Sequence, residues 1–200
     1  MIYAVHFLEG EQAIYETWDE CAKAKDGVSG AISKKCYTLA EAGAWLLRIA
    51  RFMIPDEAPR ISLYVDGSNS SGKGPTIGGW AFVAVAPDGE TMLAQGDGFF
   101  PAKSNNIDGE LRAAKKALLW APAHRPVEVV CDYLGIAFFA LGTWTAKSHV
   151  AIEYRDWIAG VLEERDIKFR HVKGHSGDKW NNMADSLAGK AVKRGKKEEL

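Results

Sequence analysis

Four acidic residues stand out by position, at the ends of predicted strands or on predicted helices. Asp66 ends the apolar run ISLYVD, and Asp132 ends VEVVCD. Glu110 falls in the first turn of a helical stretch, and Asp185 lies in NNMADSLAG near the C-terminus. A carboxylate at the end of a buried strand is costly unless something neutralises it. Two of them side by side raise a pKa or call for a cation. A set of oxygen ligands favours Mg²⁺ or Mn²⁺ over zinc. Two such ions roughly 4 Å apart suit in-line phosphoryl displacement. Three of the acids also have a plain alternative. Glu110 can complement the helix dipole, Asp185 can be an exposed helix acid, and Asp66 before Gly67 can form a turn. Spacing alone leaves both readings open.

The elements that would carry these acids follow from periodicity. ISLYVDGS, GGWAFVAVA and TMLAQGDGFF read as strands, the last two joined at Pro87-Asp88-Gly89. Residues 108–120 form a helix with Leu111, Ala114, Leu118 and Leu119 on its apolar side. Then come the strand VEVVCD, a short apolar helix in LGIAFFALG, a helix over 150–164, the strand IKFRHV and a helix over 181–193. Three strands in sequence, then alternating helix and strand, predict an α/β fold: a mixed five-stranded sheet flanked by helices.

Ahead of this lies a smaller α+β module over residues 1–50. Its strand Ile2–Leu8 leads through the turn Glu9-Gly10-Glu11 to a short run at Ile14 and Tyr15. Thr17 and Thr38 are placed as N-caps, the second with Glu41 three residues on. The second helix carries Leu39, Ala42, Leu46 and Ile49 at helical spacing. A short linker is expected over 51–60, around IPDEAPR, and a charged, frayed tail over 194–200.

Composition narrows the partners. With 25 basic and 26 acidic residues the net charge is −1, which excludes a globally basic nucleic-acid binder but not a local patch. The three cysteines, Cys21, Cys36 and Cys131, have no CxxC spacing and read as packed thiols. No apolar run approaches the ~18 residues of a membrane span. A soluble cytoplasmic monomer with neither membrane nor small-molecule cofactor is expected.

Residues 61–193 resemble a type 1 ribonuclease H. The matching stretches are YVDGS at 64–68, NNIDGE at 105–110, VVCD at 129–132 and VKGHSGDKWNNMADSLA at 172–188. The resemblance implies an RNase H-like fold and cleavage of the RNA strand of RNA–DNA hybrids. Two Mg²⁺ ions, with Mn²⁺ as substitute, would be held by Asp66, Glu110, Asp132 and Asp185. The products would carry 5′-phosphate and 3′-hydroxyl ends. His175 takes the place of the family's loop histidine, which shuttles a proton or aids product release. Nucleic-acid contacts are implied for Asn105, Asn106 and Asn181, with the amides of Gly67 and Ser68 beside them. Asn105 and Asn106 can equally cap the helix that follows. Departures from the family pattern are Asp108 in place of Arg, Ile107 in place of Asn or Gln, and Tyr133 in place of Ser. GTWTAKSHV at 142–150 is short where some members carry a basic protrusion, and Lys147 is its only Lys or Arg.

Residues 1–47 resemble the hybrid-binding, viroplasmin-like module found at the N-terminus of many such enzymes. IYAV at 2–5, YETWDEC at 15–21 and GVSGAISKK at 27–35 carry the likeness. It implies that Tyr3 and Trp18 pack on sugar-phosphate and that Lys34 and Lys35 meet phosphates. Ser33 and Val28 stand where relatives have aromatics. Residues 1–50 hold four Lys and one Arg against seven acids, a net of −2. The alternative is a weak or inactive hybrid-binding protein on the same fold. Another metal nuclease or an integrase of the same superfold is a third reading.

Overall fold

The computed structural model describes residues 1–70, 76–102 and 106–198. Asn105 lies outside the described residues. The chain divides into two compact units, Met1–Asp56 and Glu57–Leu200.

The first unit is a three-stranded antiparallel sheet in the order β2-β1-β3. Its strands are β1 (Ile2–His6), β2 (Gln12–Tyr15) and β3 (Ile32–Cys36). Helix α1 (Trp18–Lys25) and helix α2 (Leu39–Met53) complete it. Thr17 closes a full capping box with Glu20 at the start of α1. At α2 the box is half made. Thr38 Oγ1 accepts from the Glu41 amide at 3.1 Å, while the Glu41 carboxylate takes the Tyr37 amide. Strand alternation divides the sheet's faces. Ala4, Cys36, Ala42 and Leu46 pack together on the α2 side. Tyr3 meets Trp18 of α1, ring centroids 5.4 Å apart, on the other. Strand β3 was not anticipated as a strand; only Ile32 and Cys36 of ISKKC are buried, so it has no apolar alternation. Leu39 is exposed rather than core, because it opens the first turn of α2. Helix α2 runs through Met53, three residues into the expected linker, with Phe52 and Met53 buried.

The second unit is a five-stranded sheet in the order β6-β5-β4-β7-β8. Strands β4 (Ile61–Asn69), β5 (Ile77–Val85) and β6 (Met92–Pro101) form an antiparallel meander. Strands β7 (Val127–Cys131) and β8 (Ile167–His171) extend it in parallel with β4. Helix α3 (Ile107–Trp120) packs on one face of the sheet and helix α6 (Lys179–Glu198) on the other. Helices α4 (Gly135–Ala140) and α5 (His149–Glu164) sit beside α3. The core is a near-continuous set of Val, Leu, Ile and Ala, as expected where both sheet faces are covered. Leu119 is exposed, and Ala117 takes its expected place on the buried side of α3.

Two differences concern α6. It starts two residues earlier than predicted because Asp178 Oδ1 accepts from the amides of Trp180 and Asn181, at 3.0 and 2.9 Å. It also continues to Glu198, through most of the segment expected to be a frayed tail. Gly195 is buried against Ile77 and Phe99, and Arg194 bonds Asp97 of β6, so tertiary contacts hold the last turns.

Candidate functional site

Parallel pairing of β4 with β7 brings their C-terminal ends together, which places Asp66 near Asp132. Helix α3 reaches the same end. Its first turn lies so close to β4 that the two backbones touch. A Cβ on Gly67 would sit 2.9 Å from Gly109 Cα, and one on Gly109 would sit 2.5 Å from the Gly79 carbonyl oxygen. Only glycine at these positions lets Glu110 approach Asp66. One carboxylate oxygen from each of Asp66, Glu110 and Asp132 lies within 4.8 Å of the others.

These acids are not solvated surface groups. Asp66 is 6% exposed and Glu110 3%. Burial, then the charges of Asp132 and Asp185, push the Asp66 carboxyl up to about 8, although the Gly67 amide partly offsets this. Burial also raises Glu110 well above the usual carboxylate range, with Asp66, Asp132 and Asp185 adding to it. Asp66 Oδ2 and Glu110 Oε2 have no hydrogen-bond partner among the described residues. Unpartnered, mutually repelling oxygen donors at this spacing fit a hard divalent cation, which would supply the missing counter-charge.

An open cleft of about 380 Å³ surrounds the triad. Asp185 on α6, His175 on the loop after β8, Asn106, Asn181, Gly67 and Ser68 all line it. The fourth acid therefore joins the other three at one cleft, outside the tight triad. His175 has φ of 53°, a left-handed conformation for a residue with a side chain. Its neighbour Gly174 passes so near Asp132 that a Cβ there would lie 2.8 Å from Oδ2. His171 Nε2 lies 3.2 Å from the Asp132 carbonyl oxygen, so this second histidine braces the strand end.

Asn106 makes no side-chain cap for α3. Its Nδ2 instead donates to Glu110 Oε1 at 3.4 Å, which puts the amide in the cleft wall. Asn181 is buried, with Oδ1 lacking a partner among the described residues. Asn69, Gly109 and Gly174 were not singled out from the sequence. Asn69 lines the cleft with an unpartnered Oδ1. The signal for the glycines is only their adjacency to Glu110 and His175.

In the first unit, Tyr3, Trp18 and Lys35 share the α1 face of the sheet, since Tyr3 pairs with Lys35 across the strands. Trp18 is 52% exposed, so it is not a core residue. Lys34 alternates to the opposite face and pairs with Glu41 at 3.2 Å. The structure thus separates the two lysines. Lys25 lies 5.9 Å over the Trp18 ring and donates to Ser33 Oγ at 2.7 Å, on the same face as Lys35.

Comparison with known proteins bears on both units. The family described as RNase H matches residues 58–193, and that described as Ribonuclease H1 N-terminal domain matches residues 2–46. The ribonuclease H of Prosthecochloris aestuarii is 34% identical over 146 residues, 67% of this chain and 96% of that protein. That of Methylorubrum extorquens is 33% identical over 139 residues, 64% of this chain and 58% of that protein. RNase H1 from Halobacterium salinarum is similar in structure, with a TM-score of 0.54 and 25% identity over 68% of this chain and 98% of that one. LC11-RNase H1, solved in complex with an RNA/DNA hybrid, has the same fold at a TM-score of 0.54 and 21% identity, over 68% of this chain and 99% of that one. The chain belongs to the RNase H family: it is a ribonuclease of type 1, preceded by a Ribonuclease H1 N-terminal domain.

Proposed function

We propose that this enzyme cleaves the RNA strand of RNA–DNA hybrids with two divalent cations, Mg²⁺ in the first instance, leaving 5′-phosphate and 3′-hydroxyl ends. The observation that carries the reading is the triad of Asp66, Glu110 and Asp132, the first two buried and the third half-buried, short of counter-charge in an open cleft. Asp66, Glu110, Asp132 and Asp185 would hold the ions. When bound, these supply Lewis-acid stabilisation of the phosphoryl charge and make a coordinated water a stronger acid.

The chain's own groups do the rest. His175, at the cleft mouth on a loop, takes up or delivers a proton at its imidazole nitrogen. Asn106 is anchored on Glu110, so a base or sugar edge bound by its amide is held in register with the acid cluster. Asn105, Asn181 and the amides of Gly67 and Ser68 complete the proposed contacts to the two strands. Selectivity for a hybrid needs a 2′-hydroxyl read on one strand and its absence on the other. In the first unit, Tyr3, Trp18 and Lys35 offer an aromatic and cationic grip on sugar-phosphate. Lys34, on the opposite face, would meet phosphate apart from this grip and only after releasing Glu41.

One labelled sequence presented as hybrid, RNA duplex, DNA duplex and single-stranded RNA tests this. Each is incubated with Mg²⁺, with Mn²⁺ and with EDTA. Metal-dependent cutting confined to the RNA of the hybrid is expected. Binding of the hybrid without any cutting would replace this reading with that of a hybrid-binding protein.

A further inference from the structure

The segment 142–150 offers one Lys to a polyanion, yet a cationic row lies elsewhere, on the helix that carries Asp185. Residues 179–198 contain six Lys or Arg against two acids, in a chain of net charge −1. At 100° per residue, Lys190, Lys193 and Lys197 fall within a sector of roughly 60°. All three are exposed. Among the described residues, no acid pairs with any of them. Helix-dipole compensation accounts for cations in the last turn, Lys196 and Lys197. It does not account for Lys190 and Lys193, which lie further back.

The placement of the row gives it a partner. At 1.5 Å per residue it runs from roughly 8 to 18 Å along the axis from Asp185, on the same rigid element. The C-terminal half of α6 lies over the ends of β5 and β6. A Cβ on Gly195 would meet Ile77 and Phe99 at 2.7 Å, and Ile77 pairs with Pro101, where the chain leads on toward Asn106. Arg194, bonded to Asp97 and stacked on Phe99, fixes this end of the helix. A row about 10 Å long faces about three phosphates of one strand, at roughly 3.4 Å each along a duplex axis.

Resting on the hybrid-cleavage reading, we infer that Lys190, Lys193 and Lys197 form a second footing that grips the phosphate backbone of the duplex beyond the cleft. It serves as the sequence-independent anchor that the short 142–150 segment does not provide.

The test replaces Lys190, Lys193 and Lys197 with Gln together in the full chain. Binding of a labelled hybrid is followed by fluorescence anisotropy in EDTA across a salt series, and cleavage with Mg²⁺ is measured separately. We expect Kd to rise on the order of tenfold near 0.1 M salt, with the slope of log Kd against log salt flattened by about 2–3. In cleavage the effect falls on KM rather than kcat. Arg at all three positions restores affinity and slope. Arg125→Gln with Arg155→Gln, which removes one exposed and one half-buried charge away from α6, leaves the slope within about half a unit of its starting value. An unchanged Kd and slope in the folded triple variant overturns the footing. So does a loss that the Arg125 and Arg155 pair reproduces. A parent that binds through the row but cuts nothing overturns the cleavage reading and leaves the footing standing.

Discussion

Each unit buries an ionisable group, and the two do so with opposite electrostatic logic. In the second unit Asp66 and Glu110 are taken out of water beside Asp132 and Asp185, with two oxygens unpartnered and the carboxyls pushed upward. In the first unit His6 is 1% exposed, and burial pushes its imidazole downward, toward neutrality. Gln12 Nε2 lies 3.4 Å from His6 Nδ1 and also donates to the Leu46 carbonyl at 3.0 Å. Burial thus favours the uncharged histidine in a packed sheet, where Nε2 has no hydrogen-bond partner among the described residues but no charge is left uncompensated. The acid cluster is incomplete without a cation. Chemistry is concentrated where the fold leaves charge uncompensated, and the first unit is left to present an exposed aromatic and cationic face.

The strongest way to break this contrast is Asp66→Asn. It removes a ligand and a repelling charge at once. Cleavage should fall on the order of 10³-fold or more, while the metal-free protein at pH 8 becomes more stable. Initial rates and thermal melting read the two effects, and unaltered cleavage would remove Asp66 from the site. Next comes Gly109→Ala, which leaves every carboxylate in place but forces α3 away from β4. A kcat loss of roughly 10–100-fold is expected, with a stability cost of about 1–3 kcal/mol. Wild-type kcat in that variant would mean the backbone contact does not position Glu110.

A smaller effect is expected in the first unit. Trp18→Ala should raise KM for the hybrid roughly fivefold and leave kcat largely unchanged, because the ring is exposed and remote in sequence from the acids. An unmoved KM would assign this face to some other partner.

The smallest effect sharpens the contrast most directly. Asp66 titrates higher folded than unfolded, so its stabilising contribution is full below about pH 4 and is lost as pH rises through about 8. His6 titrates lower folded than unfolded, so its contribution is present above about pH 6.5 and is lost as the pH falls below that. Metal-free melting followed by a probe in each unit should therefore weaken in opposite directions, by several degrees. Added Mg²⁺ should restore the second unit alone, and more at pH 8 than at pH 6. Parallel pH dependence of the two units would contradict the comparison.

Much of the architecture was legible because apolar period and turn chemistry agreed. The meander, its Pro87-Asp88-Gly89 turn and the Thr17 cap all follow from such local rules. Strand β3 escaped because adjacent lysines interrupt its alternation, and backbone pairing with β1 holds it instead. The ends of α6 escaped because an Asp178 cap and contacts to Ile77, Phe99 and Asp97 override a charged, glycine-containing sequence. The four acids were legible as strand-end and helix-start residues. Their convergence was not, since it depends on the β4–β7 pairing and on two backbones touching at glycines. Nor could the sequence place Lys34 and Lys35 on different faces until β3 was known to be extended.

The glycine contact between α3 and β4 also acts as a gauge block. Most distances inside a protein are set by side chains, and they drift as those side chains are exchanged. Here the spacing between Asp66 and Glu110 is set by main-chain atoms in contact, whose size no substitution elsewhere can alter. The surrounding core can therefore be repacked, residue by residue, without moving these two fixed points of the cleft. The freedom to vary and the tolerance of the site are held by different parts of the same helix.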